Sequence, residues 1–321
     1  MAISHQCIPR QASGRGSTAL IRTCISTILG LIFVSACAKP PAGLYETIST
    51  PNVTYVQRGE RSLVMDIVQP RDCPGPRPAV LMYHGGGWVA GDRSDMAPMA
   101  KFLASLGYTA ASAQYRLASK QGPHYPAQVQ DTFAALKFLK SHAKEYDIDP
   151  DRIAVMGESA GGHLALLVGL ARDPSIFGGD DYPDVSAKVA CIVDIYGPTN
   201  LPDLCQTGDL VARLVGPIFL NARLCDEPVK WRDASPINHV RADAPPVLIV
   251  HGIGDETVPI GQADQLHKAL HEAGATCQIV RVKGAGHGWG YDFTANPCMR
   301  TLPAIAQFLG EQLQPSARKN K

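Results

Sequence analysis

Short apolar runs alternate with longer amphipathic segments along most of the chain. The runs are rich in β-branched residues and are bounded by turn-forming ones, which is typical of buried strands. The longer segments carry apolar residues three and four positions apart, as Val129, Phe133 and Leu136 do, and this spacing predicts helices. The predicted strands cover 63–68, 79–83, 109–114, 153–156, 189–195, 247–250 and 278–282, and the predicted helices cover 97–106, 127–146, 163–171, 262–273 and 302–313.

Strands that alternate with helices predict an α/β fold with a mostly parallel sheet and helices on both faces. Residues 200–235 interrupt the alternation after a predicted strand. They are either a short insertion that roofs a site at the carboxyl ends of the strands or an ordinary excursion over the surface.

The composition fits one large globular domain. Of the 321 residues, 45% are hydrophobic and 18% are charged, and no linker, charge block or repeat interrupts the chain beyond residue 50. Apart from an N-terminal leader, residues 37–321 are therefore predicted to form a single domain. The 30 basic residues balance 29 acidic ones, so nucleic acid is not an expected partner.

The N-terminus has the order of a targeting segment. Arg10, Arg15 and Arg22 precede an uncharged stretch, 23–36, that ends in small residues. This order predicts a signal peptide over residues 1–36, and the stretch is too short to remain as a membrane-spanning helix. A buried core helix is the competing interpretation, and the arginines placed before the apolar stretch argue against it.

The residues Val34-Ser35-Ala36-Cys37 resemble a bacterial lipobox. Cleavage before Cys37 and acylation of this cysteine would attach the protein to a membrane. Ala36 and Ala38 also satisfy the rule for ordinary signal cleavage, which would release a soluble exported protein. The sequence thus predicts an exported bacterial protein, either a lipoprotein or a periplasmic one, with secretion as the alternative.

Six cysteines follow Cys37, in what the leader predicts to be an oxidising compartment. We expect Cys205 to pair with Cys225 and Cys277 with Cys298, although the pairing does not follow from the spacing. The cysteines and histidines do not have the spacing of metal ligands, so no metal site is predicted.

Residues 157–161 read Gly-Glu-Ser-Ala-Gly between a predicted strand and a predicted helix. A serine on a tight strand-to-helix turn needs neighbours without side chains, so that its hydroxyl projects clear of the sheet. The helix that follows adds its N-terminal dipole at the same place. This pattern makes Ser159 the candidate nucleophile.

A second glycine-rich segment, His-Gly-Gly-Gly-Trp at 84–88, follows the predicted strand at 79–83. Unobstructed backbone N–H groups here, with the N–H of the residue after the nucleophile, can stabilise the oxyanion of a tetrahedral intermediate. A flexible turn is the alternative interpretation. The candidate oxyanion-hole residues are Gly85, Gly86, Gly87 and Ala160, with Gly86 and Gly87 preferred among the three glycines.

A serine hydroxyl needs a base to remove its proton, and an acid usually orients that base. Asp255 and His287 follow the serine in the required order, each on a glycine-rich loop after a predicted strand, and are the candidate acid and base. Asp255 as a helix cap is the structural alternative, and Asp194 is the rival acid. His251, four residues before Asp255, is expected to support the acid loop.

Seven motifs carry a family resemblance. They are His-Gly-Gly-Gly-Trp at 84–88, Tyr-Arg-Leu at 115–117, Tyr-Pro-Ala at 125–127, Gly-Glu-Ser-Ala-Gly-Gly-His at 157–163, Ser-Pro-Ile at 235–237, His-Gly-x-x-Asp at 251–255 and Gly-x-Gly-His at 284–287. From about Val53 to Leu313 the chain resembles α/β-hydrolases of the hormone-sensitive-lipase-like and feruloyl-esterase-like group, the BD-FAE-type carboxylesterases. The resemblance implies an eight-stranded sheet, a Ser/His/Asp triad, hydrolysis of carboxylic esters without a cofactor, and structural roles for Tyr115 and Arg116.

The expected substrate is therefore a small-molecule ester, with simple esters, acylated sugars and xenobiotic esters left open. An arylformamidase-like amidase uses the same fold with a similar glycine loop and is the nearest enzymatic alternative. A peptidase of the prolyl-oligopeptidase kind would need more residues before the catalytic region. A non-catalytic binding homologue would be expected to lack a member of the triad.

Overall fold

The computed structural model describes residues 44–171, 174–178, 181–290, 293 and 295–314. The predicted signal peptide, 1–36, and the predicted lipid site, Cys37, lie outside the described residues. Within the described ranges, no helix is both long enough and apolar enough to cross a bilayer.

One mixed sheet forms the centre of the fold. Its strands are β1 Thr47–Arg58, β2 Arg61–Pro70, β3 Arg77–Tyr83, β4 Thr109–Ala113, β5 Ile148–Glu158, β6 Cys191–Ile195, β7 Val247–Gly252 and β8 Cys277–Val282. They lie in the order β1-β2-β4-β3-β5-β6-β7-β8. β2 pairs antiparallel with β1 and β4, and the pairings from β4–β3 to β7–β8 are parallel. The predicted α/β-hydrolase sheet is confirmed.

Helices follow the strands along the chain and pack on the sheet. In the described part of the chain the α-helices are α1 Ala97–Ser105, α2 Ala127–Ser141, α3 Ala160–Leu170, α4 Leu201–Thr207, α5 Leu210–Leu220, α6 Pro228–Asp233, α7 Gly261–Glu272 and α8 Asn296–Gln312. Short 3₁₀ turns lie at Arg93–Met96, Pro174–Phe177 and Pro236–His239.

The sequence pattern located the buried strands and missed the exposed one. The central strands β4 and β6 are buried along their whole length, which explains their unbroken apolar runs. β1 is an edge strand with mostly exposed side chains, so its sequence carries no apolar run to recognise. α3 begins directly after Ser159, three residues earlier than predicted, because the elbow turn passes straight into the helix.

The parallel part of the sheet brings the candidate residues to one edge. The glycine loop follows β3, Ser159 follows β5, Asp255 lies on the loop after β7, and His287 lies on the loop after β8. The carboxyl ends of parallel strands meet at the same edge, so the topology alone gathers these four segments.

The segment 200–235 folds into α4, α5 and α6. Leu204 of α4 and two α5 residues, Ala212 and Val215, line the cavity above Ser159. The segment is therefore a roof over the candidate site, the first of the two interpretations.

The two predicted disulfides are wrong. None of the six described cysteines is joined in a disulfide. Cys277 opens β8, whereas the thiol of Cys298 on α8 donates to the carbonyl of Gly290, 3.4 Å away, in the loop after that strand. The thiol of the exposed Cys225 donates to a carboxylate oxygen of its neighbour Asp226. Each of these two side chains is directed to a polar partner and not to a second sulfur.

Candidate active site

Close backbone contacts explain the glycines on both sides of Ser159. A Cβ on Gly157 would lie 2.2 Å from the carbonyl oxygen of Gly161, and a Cβ on Gly161 would lie 2.1 Å from that of Tyr83. Ser159 itself has φ 52° and ψ −120°, an unusual conformation for a residue with a side chain. Its N–H donates to the carbonyl of Ile195 at 2.9 Å, which fixes the turn against β6.

The three candidate catalytic side chains form one hydrogen-bonded chain. Nε2 of His287 lies 2.9 Å from Oγ of Ser159, and Nδ1 of His287 lies 2.7 Å from Oδ2 of Asp255. The Asp255 side chain is fully buried, while that of His287 is 20% exposed and faces the cavity. The structure thus joins the residues that the sequence proposed separately.

Several donors surround the carboxylate of Asp255. The N–H of Val258 donates to Oδ1 at 2.8 Å, and Nε2 of His251 lies 3.4 Å from Oδ2 while also contacting the Val258 carbonyl at 2.8 Å. Burial alone would raise the pKa of Asp255, but the nearby His251 and the hydrogen bonds from His287 and Val258 lower it to about 2. Asp255 is therefore ionised at neutral pH and holds His287 with Nδ1 protonated. His251 supports the acid loop in the way the sequence suggested.

Asp194, the rival acid, is directed elsewhere. It is fully buried, and its Oδ1 accepts from the N–H of Gly197 at 3.0 Å. A Cβ on Gly162 or on Gly197 would lie 2.3 Å from this oxygen, so both glycines make room for it. Burial raises the pKa of Asp194 to about 7, against the opposing effects of His251 and the Gly197 N–H. Its contacts stabilise the turn after β6.

The glycine loop after β3 has left-handed backbone at two of its glycines. Gly86 has φ 104° and Gly87 has φ 59°, and a Cβ on Gly86 would lie 2.2 Å from the carbonyl oxygen of Ala90. Gly86, Gly87 and Ala160 line the same cavity as Ser159. Ala160 opens α3, so its N–H has no partner within the helix.

The carbonyl of Gly85, the remaining oxyanion candidate, is held by two side chains. That carbonyl contacts the Tyr115 hydroxyl at 3.3 Å and Nδ1 of His84 at 2.8 Å, and the Tyr115 hydroxyl also donates to the His84 carbonyl at 2.9 Å. In a trans peptide the C=O and the following N–H point in opposite directions. The Gly86 N–H therefore points away from Tyr115, which gives Tyr115 the structural role that the resemblance implied.

A buried aromatic group supports the cavity wall. The indole N–H of Trp88 donates to Nδ1 of His163 at 3.2 Å, and Nε2 of His163 donates to the Ala234 carbonyl at 2.7 Å. The Trp88 ring stacks on Phe219 with centroids 4.3 Å apart. Burial lowers the pKa of His163 to about 3, so this imidazole is neutral and links the glycine loop to the roof segment.

The cavity above Ser159 has a volume of about 380 Å³. Its wall is mainly apolar, and the polar exceptions are Ser159, His287, Tyr196 and Thr257. The hydroxyl of Thr257 donates to Asp209 at 2.9 Å, a contact that ties the acid loop to the start of α5. The described residues contain no cluster of three or more His, Cys, Asp or Glu arranged to hold a metal ion.

Sequence reasoning missed Tyr196. It stands at φ 43° directly after β6, lines the cavity, and packs its ring against His287 with centroids 4.8 Å apart. The available signal was its position at a strand's carboxyl end, two residues beyond Asp194, before a glycine.

Comparison with known proteins places this site in a family. Residues 65–270 match BD-FAE. The chain belongs to the BD-FAE family. The matched residues of this family member run from β2 to α7 and include Ser159 and Asp255, while His287 lies beyond them.

The BD-FAE member is similar to proteins named as esterases. Esterase LipQ of Mycobacterium tuberculosis is 29% identical over 265 residues, which cover 81% of this chain and 62% of LipQ. The chain thus spans less than two thirds of the length of that relative. A solved structure described as a truncated carbohydrate esterase from gut microbiota is 28% identical with a TM-score of 0.69, covering 85% of this chain and 98% of that one.

Esterase 2 of Thermogutta terrifontis is another structural relative. Its structure described as phosphonylated by cyclosarin is 26% identical, with a TM-score of 0.68, and covers 87% of this chain and 98% of that one. A second structure of this esterase is described as propionate bound.

Proposed function

We propose that this BD-FAE family member is a serine carboxylic-ester hydrolase, with Ser159 as nucleophile, His287 as base and Asp255 as the acid that orients it. The continuous chain from Oγ of Ser159 through His287 to Asp255, at 2.9 and 2.7 Å, carries the proposal. The esterase names of its relatives support the ester class, and a relative that is phosphonylated by cyclosarin supports covalent catalysis.

In the first step, Nε2 of His287 accepts the Ser159 proton while Oγ bonds to the ester carbonyl carbon. The carbonyl electron pair moves to its oxygen, where the N–H groups of Gly86, Gly87 and Ala160 are the proposed donors. When the C–O bond to the alcohol breaks, the leaving oxygen takes the proton from His287. An acyl-enzyme and a free alcohol result.

In the second step, His287 accepts a proton from water as the water oxygen attacks the acyl carbon. The tetrahedral intermediate forms and collapses at the same donors, and the bond to Oγ of Ser159 breaks. Oγ recovers its proton from His287, and the carboxylic acid leaves. Asp255 stays ionised throughout and stabilises the imidazolium.

Hydrolysis of p-nitrophenyl acetate by the purified protein tests this function. Ser159→Ala removes the nucleophile and should lower kcat by several orders of magnitude. Ser141→Ala, at the end of α2, is the matched control and should retain full kcat. A Ser159→Ala protein that hydrolysed the ester at the wild-type rate would contradict the function.

We propose an apolar, uncharged and short acyl group. Tyr196 and Thr257, the two polar wall residues outside the triad, already have hydrogen-bond partners, and Leu204 and Val215 close the roof. A cavity of about 380 Å³ is small for a ligand site. The propionate- and butyrate-bound structures of the Thermogutta esterase support a short acyl chain.

A series of p-nitrophenyl esters tests this substrate class. We expect kcat/KM to be highest for acyl chains of roughly two to six carbons and to fall beyond that, because a longer chain must displace the roof. Methyl ferulate and acetylated xylan, tested beside the series, separate a bulky acyl group from a bulky alcohol. A maximum at decanoate would contradict the short-acyl proposal.

The arylformamidase alternative predicts a different preference. An amidase of that kind would hydrolyse N-formylkynurenine at a higher kcat/KM than p-nitrophenyl acetate, and the proposed esterase would show the reverse. A binding homologue without catalysis would hydrolyse neither.

We propose that the protein is exported as a lipoprotein, on the evidence of the arginines before residue 23 and of the lipobox-like sequence ending at Cys37. Cells expressing the full chain should incorporate labelled palmitate, and Cys37→Ala should abolish the incorporation. Secretion of an unlabelled wild-type protein would instead support soluble export.

A further inference from the structure

The hydroxyl of Tyr196 connects two loops of the active site. The N–H of Gly290 donates to it at 2.8 Å, and it lies 2.9 Å from Oε2 of Glu158. An amide N–H only donates, so the phenol oxygen accepts from Gly290 and its own proton is donated to Glu158. The hydroxyl thus acts as an acceptor towards one loop and as a donor towards the other.

Both partners of Tyr196 are close in the chain to catalytic residues. Glu158 directly precedes Ser159, and Gly290 follows His287 by three residues. Glu158 is fully buried, and a hydrogen bond in such surroundings is electrostatically stronger than one exposed to water. The two hydrogen bonds thus join the turn that carries Ser159 to the loop that carries His287, at the carboxyl ends of the strands.

The backbone of Tyr196 is held in place by the sheet. Its N–H donates to the carbonyl of Val250 in β7 at 2.8 Å, and the preceding carbonyl, of Ile195, accepts from Ser159. The residue that follows, Gly197, has no room for a Cβ. The peptide that joins Ile195 to Tyr196 is therefore hydrogen-bonded at both its C=O and its N–H, which holds Tyr196 in place.

The ring of Tyr196 packs against the same histidine loop that its hydroxyl bonds. It contacts His287 at a centroid distance of 4.8 Å and Trp289 at 5.0 Å, and its edge forms part of the substrate cavity. A side chain that touches the catalytic imidazole and bonds the loop carrying it constrains where Nε2 lies.

We propose that Tyr196 is a positioning residue that holds His287 within hydrogen-bonding distance of Ser159, with Glu158 as its anchor beside the nucleophile. This inference rests on the proposed function, because it assumes that the Ser159–His287 contact is used in catalysis. It gives the second residue of the Gly-Glu-Ser-Ala-Gly motif a specific task.

Tyr196→Phe removes the hydroxyl and keeps the ring. We expect kcat for p-nitrophenyl acetate to fall roughly ten- to a hundredfold, since small displacements of catalytic groups have effects of this size, and KM to change less than about twofold. Tyr83→Phe is the matched control, because the Tyr83 hydroxyl is buried and donates to the Thr132 carbonyl at 2.9 Å outside the cavity. The Tyr83→Phe variant should have a lower Tm than the wild type and an unchanged kcat.

Three further variants test the anchor. Glu158→Ala removes the acceptor of the Tyr196 hydroxyl and should lower kcat about as much as Tyr196→Phe does, whereas Glu158→Gln keeps an acceptor oxygen and should recover most of that loss. Gly290→Ala removes no catalytic group, yet its Cβ would lie 2.2 Å from Oε1 of Glu158 and 2.6 Å from the Tyr196 oxygen. It should therefore displace the loop and lower kcat about as much as Tyr196→Phe does.

The proton between His287 and Asp255 gives a readout that needs no turnover. This short bond should produce a low-field proton resonance in the resting wild-type enzyme, absent in His287→Ala, that shifts in Tyr196→Phe and not in Tyr83→Phe. A kcat within twofold of wild type, or an unshifted resonance, in Tyr196→Phe would overturn the positioning role. Failure of the proposed function would appear separately, as full activity in Ser159→Ala.

Discussion

Asp194 near the carboxyl end of β6 and Asp255 on the loop after β7 are both buried at the same edge of the sheet, and their pKa values differ in direction. Asp255 receives hydrogen bonds from Val258 and His287 with His251 close by, and its pKa falls to about 2. Asp194 receives one N–H, from Gly197, and its pKa rises to about 7. Burial raises the pKa of both carboxyl groups, and at Asp255 the donors around the carboxylate more than offset it, so Asp255 is the acid that is ionised and able to orient a histidine.

The largest expected effect separates the two acids by activity. Asp255→Asn should lower kcat by about 10³- to 10⁴-fold, because an amide cannot hold His287 in the required tautomer or stabilise its charged form. Asp194→Asn should retain kcat within about threefold, since Asp194 does not bond His287. Steady-state kinetics on p-nitrophenyl acetate measure both. The reverse ranking would make Asp194 the catalytic acid.

Substitution of His251 should have a smaller effect on kcat, and it tests whether the contacts around Asp255 are what suit it to orient His287. His251→Ala should lower kcat about tenfold, because it frees the Val258 carbonyl and loosens the turn whose N–H binds Asp255. His251→Gln offers an amide N–H in the place of Nε2 and should recover most of that loss. His271→Gln, exposed at the end of α7, is the control. Equal rates in all three variants would show that the acid loop needs no such support.

The sequence predicted Ser159, Asp255 and His287 because each requires a recognisable backbone setting, a glycine-rich loop at a strand's carboxyl end. The strands β4 and β6 were predictable for a related reason, since burial on both faces demands continuous apolar residues. Edge strand β1 was not predictable, because its exposed side chains leave no pattern of apolar residues. The partners of the cysteine thiols were not predictable either, because they depend on which residues lie close together in three dimensions. The role of Tyr196 depends on Gly290, 94 positions away, which no local pattern encodes.

The two acids should also give opposite dependences of stability on pH. Asp194 keeps its proton in the fold up to about pH 7 and loses it near 3.8 when unfolded, so rising pH between these values favours unfolding. Asp194→Asn should therefore flatten the fall in the free energy of unfolding between pH 4 and 7, by up to about 1.4 kcal/mol per pH unit. Urea unfolding across this range measures the slope, and identical slopes in wild type and variant would contradict the assignment.

Asp255 should change the free energy of unfolding at acidic pH, and in the direction opposite to that of Asp194. Its pKa is about 2 in the fold and 3.8 when unfolded, so its ionised form stabilises the protein above pH 4 and this contribution is lost as the pH falls towards 2. Any stability gap between wild type and Asp255→Asn should narrow over that interval. A gap that widened on acidification would contradict the charge state.

The central claim is that Ser159 is the nucleophile, and covalent labelling tests it most directly. Treatment with diethyl p-nitrophenyl phosphate should release about one equivalent of p-nitrophenolate per protein and leave one diethylphosphoryl group on the peptide containing Ser159, as read by mass spectrometry. The Ser159→Ala protein should remain unlabelled. A stoichiometric label on another residue, or equal labelling of Ser159→Ala, would contradict the account.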